Sequence, residues 1–351
     1  MPDKQTAPRR CLFVSSTPDP RFESLTTAEY FELKQFSIAS IGYNLEKLGW
    51  QTKRIGRRSS LTPGRTARVI DAFQPHIVYT YGSLTALNPI LAKRRCKWRD
   101  YRVIHGWDDD YREIWRYNYG HAARMLAAWL ERAIVRRSDG VVTLSRFNQA
   151  RGLEWGVVSE YIPNGFDMQK CDRGNCEIRL EGDFKLVYTG DQAPMKRAED
   201  ICRAMRELPD NIKLYFTGGH YPYLDKYASS NCIFLGFLPK NDQLCVMEQA
   251  DVLVCTADQD CNAKFHEYIR FGKPILGYDG RPNMLFSNGH NALLTRDYAS
   301  AIKQLYGDPT LRARLAQNAA QDIPVLAWSE IASLFDRYFD KQLAKQRPPT
   351  R

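Results

Sequence analysis

A lysine and a glutamate in the second half of the chain are the residues best suited by type and spacing to do chemistry. Lys264 and Glu267 fall near the start of a helical pattern that stops at Gly272, with Pro274 beyond it. Residues three apart share a helix face, and the first turn of a helix favours anions. The lysine can bind a diphosphate while the carboxylate accepts hydrogen bonds from a ribose diol. The alternative is an ordinary salt bridge between the two side chains.

A glycine-containing loop that ends in a lysine follows an apolar run earlier in the same half. Gly190 allows the backbone to approach a ligand closely, and Lys196 stands where the next helical pattern begins. Asp191 and Arg197 flank this loop. A phosphate-binding role is one interpretation, and an ordinary strand-to-helix connection is the other.

Short apolar runs alternate with helical patterns along the whole chain and must position these residues. Such alternation predicts α/β domains with parallel sheets, whose ligands bind beyond the carboxyl ends of the strands. We therefore predict two doubly wound, Rossmann-like domains facing each other across a cleft. The predicted strands are 11–14, 76–80, 101–104, 140–144, 184–189, 212–217, 232–235, 251–255 and 274–277.

Domain boundaries follow from a polar stretch after Pro163-Asn164-Gly165. We predict an acceptor-binding domain over 1–165, a linker over 166–182 and a donor-binding domain over 183–325. The segment 326–351 is predicted to be a C-terminal helix, which crosses back to the first domain, and a tail.

The composition, with 44% hydrophobic and 26% charged residues, is that of a folded globular protein. No run of about 20 apolar residues is present, and residues 1–10 are polar, so we expect a cytoplasmic protein. The helical pattern 122–137 carries an apolar stripe and several arginines. We expect the stripe to pack in the core rather than to lie on a membrane. The stripe consists of Met125, Leu126, Trp129, Leu130, Ala133 and Ile134.

The positive charge is confined to one half. Residues 1–165 hold 26 Lys and Arg against 16 Asp and Glu, an excess of +10, whereas residues 166–351 hold 24 of each. Arginine outnumbers lysine 20 to 6 in the first half, which suits phosphate contacts. The excess indicates an anionic partner or a solvated surface. We assign Arg57 and Arg58 of this half to acceptor binding.

Three consecutive aspartates follow a histidine in the first half. His105 could hydrogen-bond a sugar hydroxyl, and Asp108, Asp109 and Asp110 could orient an acceptor or stabilise a cationic transition state. One of the three could instead cap a helix, and together they could bind a divalent ion.

Taken together, these motifs resemble those of glycosyltransferase family 4, whose members have the GT-B fold. The resemblance implies that Glu267 holds the nucleotide ribose, that Lys196 binds phosphate, and that Gly236 and Phe237 lie near the nucleobase. It also implies that His105, Asp108 and Lys196 serve catalysis, with retention of anomeric configuration and no metal cofactor. The segments that carry it are 262–268, 272–274, 188–196, 138–145, 162–167 and 235–238. The predicted donor-binding set is Gly190, Asp191, Lys196, Arg197, Gly236, Phe237, Asp260, Asn262, Ala263, Lys264, Phe265 and Glu267.

Two positions depart from the family pattern. Gln259 stands where the family usually has a glutamate, eight residues before Glu267, and Asp191 stands where it often has an arginine. We expect Arg197 or Lys264 to replace the lost phosphate contact.

The predicted function is transfer of a sugar from a nucleoside-diphosphate sugar to an anionic acceptor, with a lipid-linked or cell-surface glycan favoured. The enzyme would then associate peripherally with the inner membrane face. Alternatives are a transferase acting on modified DNA bases, a sugar-nucleotide epimerase of the same fold, and a non-catalytic basic nucleic-acid-binding protein. No stable protein partner is evident in the sequence.

Overall fold

The chain forms two compact units. The computed structural model describes residues 8–33, 37–82, 84–166 and 176–345. One unit contains the chain up to Gly165 together with the segment from Leu326 onward, and the other runs from Phe166 to Val325. The segment predicted to return to the first domain therefore belongs to the first unit. Most of the predicted linker, residues 167–175, lies outside the described residues.

The first unit is built on a six-stranded sheet in which every pair of neighbours is parallel, in the order β2-β1-β3-β4-β5-β6. Four of these strands, β1, β3, β4 and β5, were predicted from the sequence, whereas β2 and β6 were not. The strands are β1 Arg9–Ser15, β2 Trp50–Ile55, β3 Ile77–Tyr81, β4 Arg102–Trp107, β5 Gly140–Thr143 and β6 Glu160–Tyr161.

The second unit repeats the architecture with a different strand order, β12-β11-β10-β7-β8-β9, again wholly parallel. Five of its strands were predicted, and β12 was missed. The strands are β7 Phe184–Thr189, β8 Ile212–Thr217, β9 Cys232–Gly236, β10 Val252–Cys255, β11 Ile275–Tyr278 and β12 Leu293–Thr295. The predicted fold class, two doubly wound α/β sheets, is confirmed.

Helices connect the strands and cover both faces of each sheet. Among them, no helix of the described ranges has the length and apolar character needed to cross a bilayer. In the first unit they are α1 Arg21–Ser24, α2 Thr27–Leu33, α3 Ser37–Lys47, α4 Arg57–Ser60, α5 Pro63–Phe73, α6 Leu87–Ala92, α7 Tyr111–Tyr119, α8 His121–Arg137 and α9 Arg146–Glu154. The others are α10 Ala198–Met205, α11 Lys240–Gln249, α12 Ala263–Arg270, α13 Tyr298–Gly307, α14 Pro309–Asp322 and, in the first unit, α15 Trp328–Ala344.

The central strands are apolar because both of their faces are buried. In β1, Phe13 packs on the side of α3 and α15, whereas Leu12 and Val14 pack on the side of α5 and α6. The second sheet is sandwiched in the same way, with α10, α13 and α14 on one face and α11 and α12 on the other. These cores hold the carboxyl ends of the strands, and the loops that follow them, in fixed positions.

The C-terminal helix α15 completes the core of the first unit. It packs along α3 and buries Ile331, Phe335 and Phe339 against the sheet. The Tyr338 hydroxyl accepts a hydrogen bond from the Val141 N–H at 3.0 Å and donates one to the Val141 carbonyl at 3.2 Å. The return of the chain is therefore part of the folded structure of this unit.

Helix α8 corrects one expectation. Its predicted apolar stripe does not pack in the core as a whole, because Met125, Leu126 and Trp129 are 69%, 51% and 66% exposed. The buried side of α8 instead carries Ile134 and Glu131 among others. The buried side of α8 looks polar in the sequence because of Glu131. The carboxylate of this residue is nevertheless satisfied by partners that the sequence does not reveal.

Candidate functional site

The strand order of the second sheet locates a site. β7 and β10 are neighbours, although β8 and β9 lie between them in sequence, and the chain therefore runs outward in opposite directions from this pair. Ligands of open α/β sheets bind at such a switch point, beyond the carboxyl ends of the two strands. The loops that begin there are 190–197 after β7 and 256–262 after β10. These loops, together with the start of α12 that follows the second loop, contain most of the predicted donor-binding residues.

Two hydrogen bonds tie these loops together through Lys196. The Thr256 hydroxyl donates to the Lys196 carbonyl at 2.6 Å, and the Lys196 ammonium donates to Oε1 of Gln259 at 2.7 Å. Lys196 ends a short 3-10 turn that begins at Pro194. Gln259, the departure from the family's usual glutamate, thus holds the lysine in place through a neutral amide, which leaves the lysine's charge uncompensated.

The loop after β7 passes very close to its neighbours. Gly190 has φ +83°, and a Cβ at this position would lie 3.1 Å from Cε of Lys264. A Cβ at Gly218 would lie only 2.6 Å from the Gly190 carbonyl oxygen. Both glycines have a positive φ, +83° and +113°, which other residues rarely adopt, and at Gly218 a Cβ would also clash with backbone, so glycine is favoured at both positions.

Lys264 is a buried cation at the first turn of α12. Its Nζ is buried with no hydrogen-bond partner among the residues that the structure describes, and it lies 4.3 Å from the centre of the Tyr188 ring. Burial lowers the pKa of Lys264 to about 8; the nearby charge of Lys196 acts in the same direction, and Cys255 opposes it. Burying an ammonium whose donors are unsatisfied is costly, and an anion that accepts from Nζ would remove that cost.

The N-terminus of α12 lies beside Lys264 and is also suited to bind an anion. Asn262 caps the helix, with Oδ1 accepting from the Lys264 N–H at 3.2 Å, and its Nδ2 donates to Sγ of Cys255 at 3.3 Å. Ala263 is exposed beside it, and Asp260 is buried in the preceding loop. These three predicted residues therefore surround the start of the helix.

Phe265 does not belong to this group. Its ring is fully buried and packs edge to face on Phe286, with centroids 4.9 Å apart. Its side chain is a core residue that fixes α12 to the sheet, so any contact of Phe265 with the donor stays a prediction and would not involve the ring.

Glu267 follows one turn after Lys264, but the salt bridge between them that the sequence allowed is not the one that forms. The Glu267 carboxylate pairs with Lys240, with Nζ and Oε1 3.0 Å apart. Lys240 opens α11 and escaped the sequence analysis, since a lysine after a proline carries no signal that separates it from a solvated one. Because Glu267 pairs with Lys240, it does not form a salt bridge with Lys264.

The loop before α11 carries the two residues that were expected near the nucleobase. Gly236 has φ +71°, and Phe237 is 87% exposed. The Phe237 ring lies close to Gly219, at whose position a Cβ would be 3.3 Å from the ring. An exposed ring beside a flat glycine backbone offers a stacking surface for a base.

Asp191 and Arg197 are occupied locally. The Asp191 carboxylate accepts from the Ala193 N–H at 3.1 Å and from the Tyr221 hydroxyl at 2.8 Å. Arg197 pairs with Asp200 at 2.7 Å and stacks on the Tyr278 ring at 4.3 Å. Of the two replacements expected for the family's arginine, Arg197 is therefore engaged elsewhere and Lys264 is available.

In the first unit, Asp108 borders a cavity at the ends of β3 and β4, lined in part by Tyr81, Asn164 and Trp328. It is 8% exposed and accepts a hydrogen bond from the Tyr111 hydroxyl. Burial raises the pKa of Asp108 to about 7, and the neighbouring Asp109 charge acts in the same direction. This carboxyl is therefore largely protonated below neutral pH and can donate or accept a hydrogen bond.

His105 lies deeper than predicted. It is fully buried within β4, where Nδ1 shares a hydrogen bond with the Thr80 hydroxyl at 3.0 Å. Burial lowers the pKa of His105 to about 4, so the ring is neutral. Its Nε2 is buried without a hydrogen-bond partner among the described residues, and its contact with a sugar stays a prediction.

The two remaining aspartates, Asp109 and Asp110, have different surroundings. Asp110 is buried and pairs with Arg112 at 2.8 Å and Arg151 at 3.7 Å, and its assignment to acceptor binding stays a prediction. It stands at the N-cap position of α7 without a capping side-chain bond. Asp109 is half-buried, and its role stays a prediction. Over the described ranges, no group of three or more His, Cys, Asp or Glu side chains is arranged to hold a metal ion.

Arg57 and Arg58 are exposed at the start of α4. The Arg57 N–H donates to the Thr17 carbonyl at 3.1 Å, which places it beside the loop after β1. The chain reverses its direction across the first sheet between β1 and β3, so this loop marks the switch point of the first unit. Arg57 therefore lies beside this switch point, and the role of Arg57 and Arg58 in acceptor binding stays a prediction.

Two wholly parallel, doubly wound sheets are the architecture of the GT-B fold. Residues 13–170 match the model of Glycosyltransferase Family 4. This match agrees with the resemblance predicted from the sequence, and it covers most of the first unit. No curated protein matches the chain by sequence.

Solved structures share the fold over nearly the whole chain. Sucrose-phosphate synthase from Thermosynechococcus elongatus superposes with a TM-score of 0.74 at 16% identity, covering 96% of this chain and 100% of that one. HepE from Anabaena, in complex with UDP and glucose, gives 0.67 at 16% identity, covering 94% and 99%. A putative UDP-N-acetylglucosamine 2-epimerase from Listeria monocytogenes gives 0.57 at 13% identity, covering 97% and 99%.

Proposed function

We propose that the protein is a retaining glycosyltransferase that takes a sugar from a nucleoside-diphosphate sugar and transfers it to an anionic acceptor, with a lipid-linked glycan as the favoured class. The observation that carries the proposal is the buried Lys264 ammonium, without a partner among the described residues, at the switch point of the second sheet. HepE, which shares the fold, was solved with UDP and glucose.

Each part of a nucleotide sugar has a counterpart in this site. Lys264, Lys196 and the α12 N-terminus face the diphosphate, the Glu267 carboxylate accepts from the ribose hydroxyls, and Phe237 stacks on the base. Binding of the ribose exchanges the Lys240 partner of Glu267 for two neutral donors.

Catalysis in this proposal is electrostatic. When the bond between the sugar and the diphosphate breaks, negative charge grows on the leaving phosphate, and fixed cations stabilise it more than they stabilise the ground state. Lys264 is suited to this role because it is held by packing and needs no reorganisation. We expect no metal requirement, so that excess chelator leaves turnover unchanged.

The first test is a thermal-shift titration of the whole chain with UDP, ADP, GDP and TDP and their sugars. A true donor raises the melting temperature with concentration as mass action requires. The Lys264→Met variant should lose the shift, whereas Lys303→Met, at an exposed site of the same unit, should keep it. Failure of every nucleotide to stabilise the wild type would contradict the proposal.

Stereochemistry and reaction type need a second experiment. Proton NMR of the product, recorded as it forms, distinguishes retained from inverted anomeric configuration. The Listeria neighbour keeps an epimerase as the competing reaction. Conversion of a UDP-sugar to its epimer without an acceptor would establish that alternative, and acceptor-dependent release of the nucleoside diphosphate would exclude it.

A further inference from the structure

Helix α8 has one side anchored in the first unit. Ala127, Ile134 and Val135 are buried on that side. Glu131, also buried, accepts a hydrogen bond from Nε1 of Trp107 at 2.7 Å and pairs with Arg151. These contacts fix the rotation of the helix about its axis, and they therefore determine which residues face outward.

The outward side of the first half of α8 is apolar. Met125, Leu126 and Trp129 are all more than half exposed, and their spacing places them side by side over two turns. At the end of α7, just before this helix, Tyr117 and Tyr119 are 48% and 73% exposed. Single exposed apolar residues are ordinary, but a contiguous group of this size marks an interaction surface.

The outward side of the second half of α8 is cationic. Arg132 and Arg136 lie three and seven residues after Trp129, on the same face, and Arg137 is exposed beside them. No ion pair joins these three arginines to any residue within the described ranges. One helix face thus runs from large apolar side chains to uncompensated guanidinium groups.

We propose that this face of α8 docks the protein on an anionic lipid bilayer, with Met125, Leu126 and Trp129 entering the interface and the three arginines binding lipid phosphates. Interfacial helices combine these two features in this way. A nucleic acid would use the arginines but would leave the apolar group exposed, and for this reason the lipid is the better fit. The inference deepens the proposed function, since a lipid-linked acceptor lies in such a surface.

The test is co-sedimentation of the whole chain with vesicles of phosphatidylcholine alone or of equal parts phosphatidylcholine and phosphatidylglycerol. We expect binding to the anionic vesicles that weakens with salt. A triple change of Met125, Leu126 and Trp129 to Ser should reduce affinity about tenfold per side chain. A triple change of Arg132, Arg136 and Arg137 to Gln should reduce it about fivefold per arginine.

Matched controls use residues equally exposed elsewhere. Variants with Leu153, Val158 and Met284 changed to Ser, or with Lys226, Lys303 and Arg314 changed to Gln, alter the same number of exposed apolar or charged side chains. They should bind vesicles as the wild type does. The α8 variants should keep their melting temperature and the thermal shift with nucleotide sugars, because the changed side chains are exposed and the donor site lies in the other unit.

Two results would overturn the inference. One is that binding to anionic vesicles does not depend on α8, either because the wild type does not bind or because the α8 variants bind as the wild type does. The other is binding to duplex DNA that the arginine variant loses and the serine variant keeps, which would make the surface a nucleic-acid site. Either result combined with a normal nucleotide-sugar shift refutes the docking surface alone, whereas loss of the nucleotide-sugar shift in the wild type refutes the proposed function.

Discussion

The two units share an architecture but place opposite kinds of groups at the carboxyl ends of their strands. At the switch point of the second sheet, Lys196 and Lys264 are cations that form no ion pair with any residue in the described part of the chain. At the ends of β3 and β4 in the first, Asp108 is a carboxyl group that burial keeps largely protonated below neutral pH.

Overall charge and local charge are therefore separate properties in this protein. The second unit lies in the half that is neutral overall, yet it holds the cationic pocket. The half with the +10 excess carries exposed arginines on α4 and α8, whereas its cavity is lined by neutral groups and one acidic side chain. A pocket's charge follows from which side chains the strand ends present, whereas the net charge describes the surface that the solvent and large partners meet.

The largest effect expected from this contrast is at Lys264. Replacement by Met keeps the packing over Tyr188 and removes the charge, so donor kcat/KM should fall about 100- to 1,000-fold. The melting temperature should stay the same or rise, since a buried cation is lost. Steady-state kinetics and thermal unfolding measure both. A small kinetic effect would place the diphosphate away from α12.

A smaller effect is expected at Glu267. Glu267→Ala removes an acceptor for the ribose hydroxyls, which should weaken nucleoside diphosphate binding about 10- to 100-fold. Binding of inorganic pyrophosphate, which lacks a ribose, should change little. Calorimetric titration with both ligands provides the comparison. Equal losses for the two would mean that Glu267 acts through the structure of α12.

The pH dependence of nucleoside diphosphate binding should reveal the protonation state of Lys264. Lys264 is protonated below its pKa of about 8 and loses its charge as the pH rises through that value. Affinity for a nucleoside diphosphate should thus be constant below pH 8 and fall above it by up to about tenfold per unit. The Lys264→Arg variant stays charged over this pH range, so its affinity for the nucleoside diphosphate should not decline above pH 8. A decline that persists in this variant would assign it to another group.

The smallest effect expected is on the stability of the first unit. The Asp108 carboxyl keeps its proton in the folded state up to about pH 7, whereas in the unfolded chain it loses it near its ordinary value. Its contribution to stability is therefore present at low pH and is lost as the pH rises through 7. Asp108→Asn should gain on the order of 1 kcal/mol, a few degrees of melting temperature, at pH 8 relative to the wild type. Asp109→Asn should move the wild-type transition to lower pH.

The sequence predicted every central strand and missed three of the four edge strands. The three strands that it did not reveal, β2, β6 and β12, all lie at the margins of their sheets. An edge strand has one unpaired side and more exposure, so it needs no continuous apolar run; in β2, Gln51 and Lys53 are exposed. These edge strands therefore lack the continuous apolar run by which a buried strand is predicted from the sequence.

The site was predictable as far as it depended on local spacing. Asn262, Lys264 and Glu267 come from one loop and helix, and their placement follows from helical geometry. The Lys240 partner of Glu267 and the burial of His105 depend on contacts between segments far apart in sequence, which no local pattern encodes. The same applies to α8, where Glu131 turns inward only because Trp107 and Arg151 meet it there.

The path of the chain through the two units also determines the order in which they can fold. Residues 166–325 form a contiguous unit, so all of it leaves the ribosome before α15 does. The first unit lacks Ile331, Phe335 and Phe339 of its core until the last segment has been synthesised. Although it is N-terminal, the first unit must therefore complete its folding last, and a chain truncated before Leu326 would retain a whole second unit beside an incomplete first one.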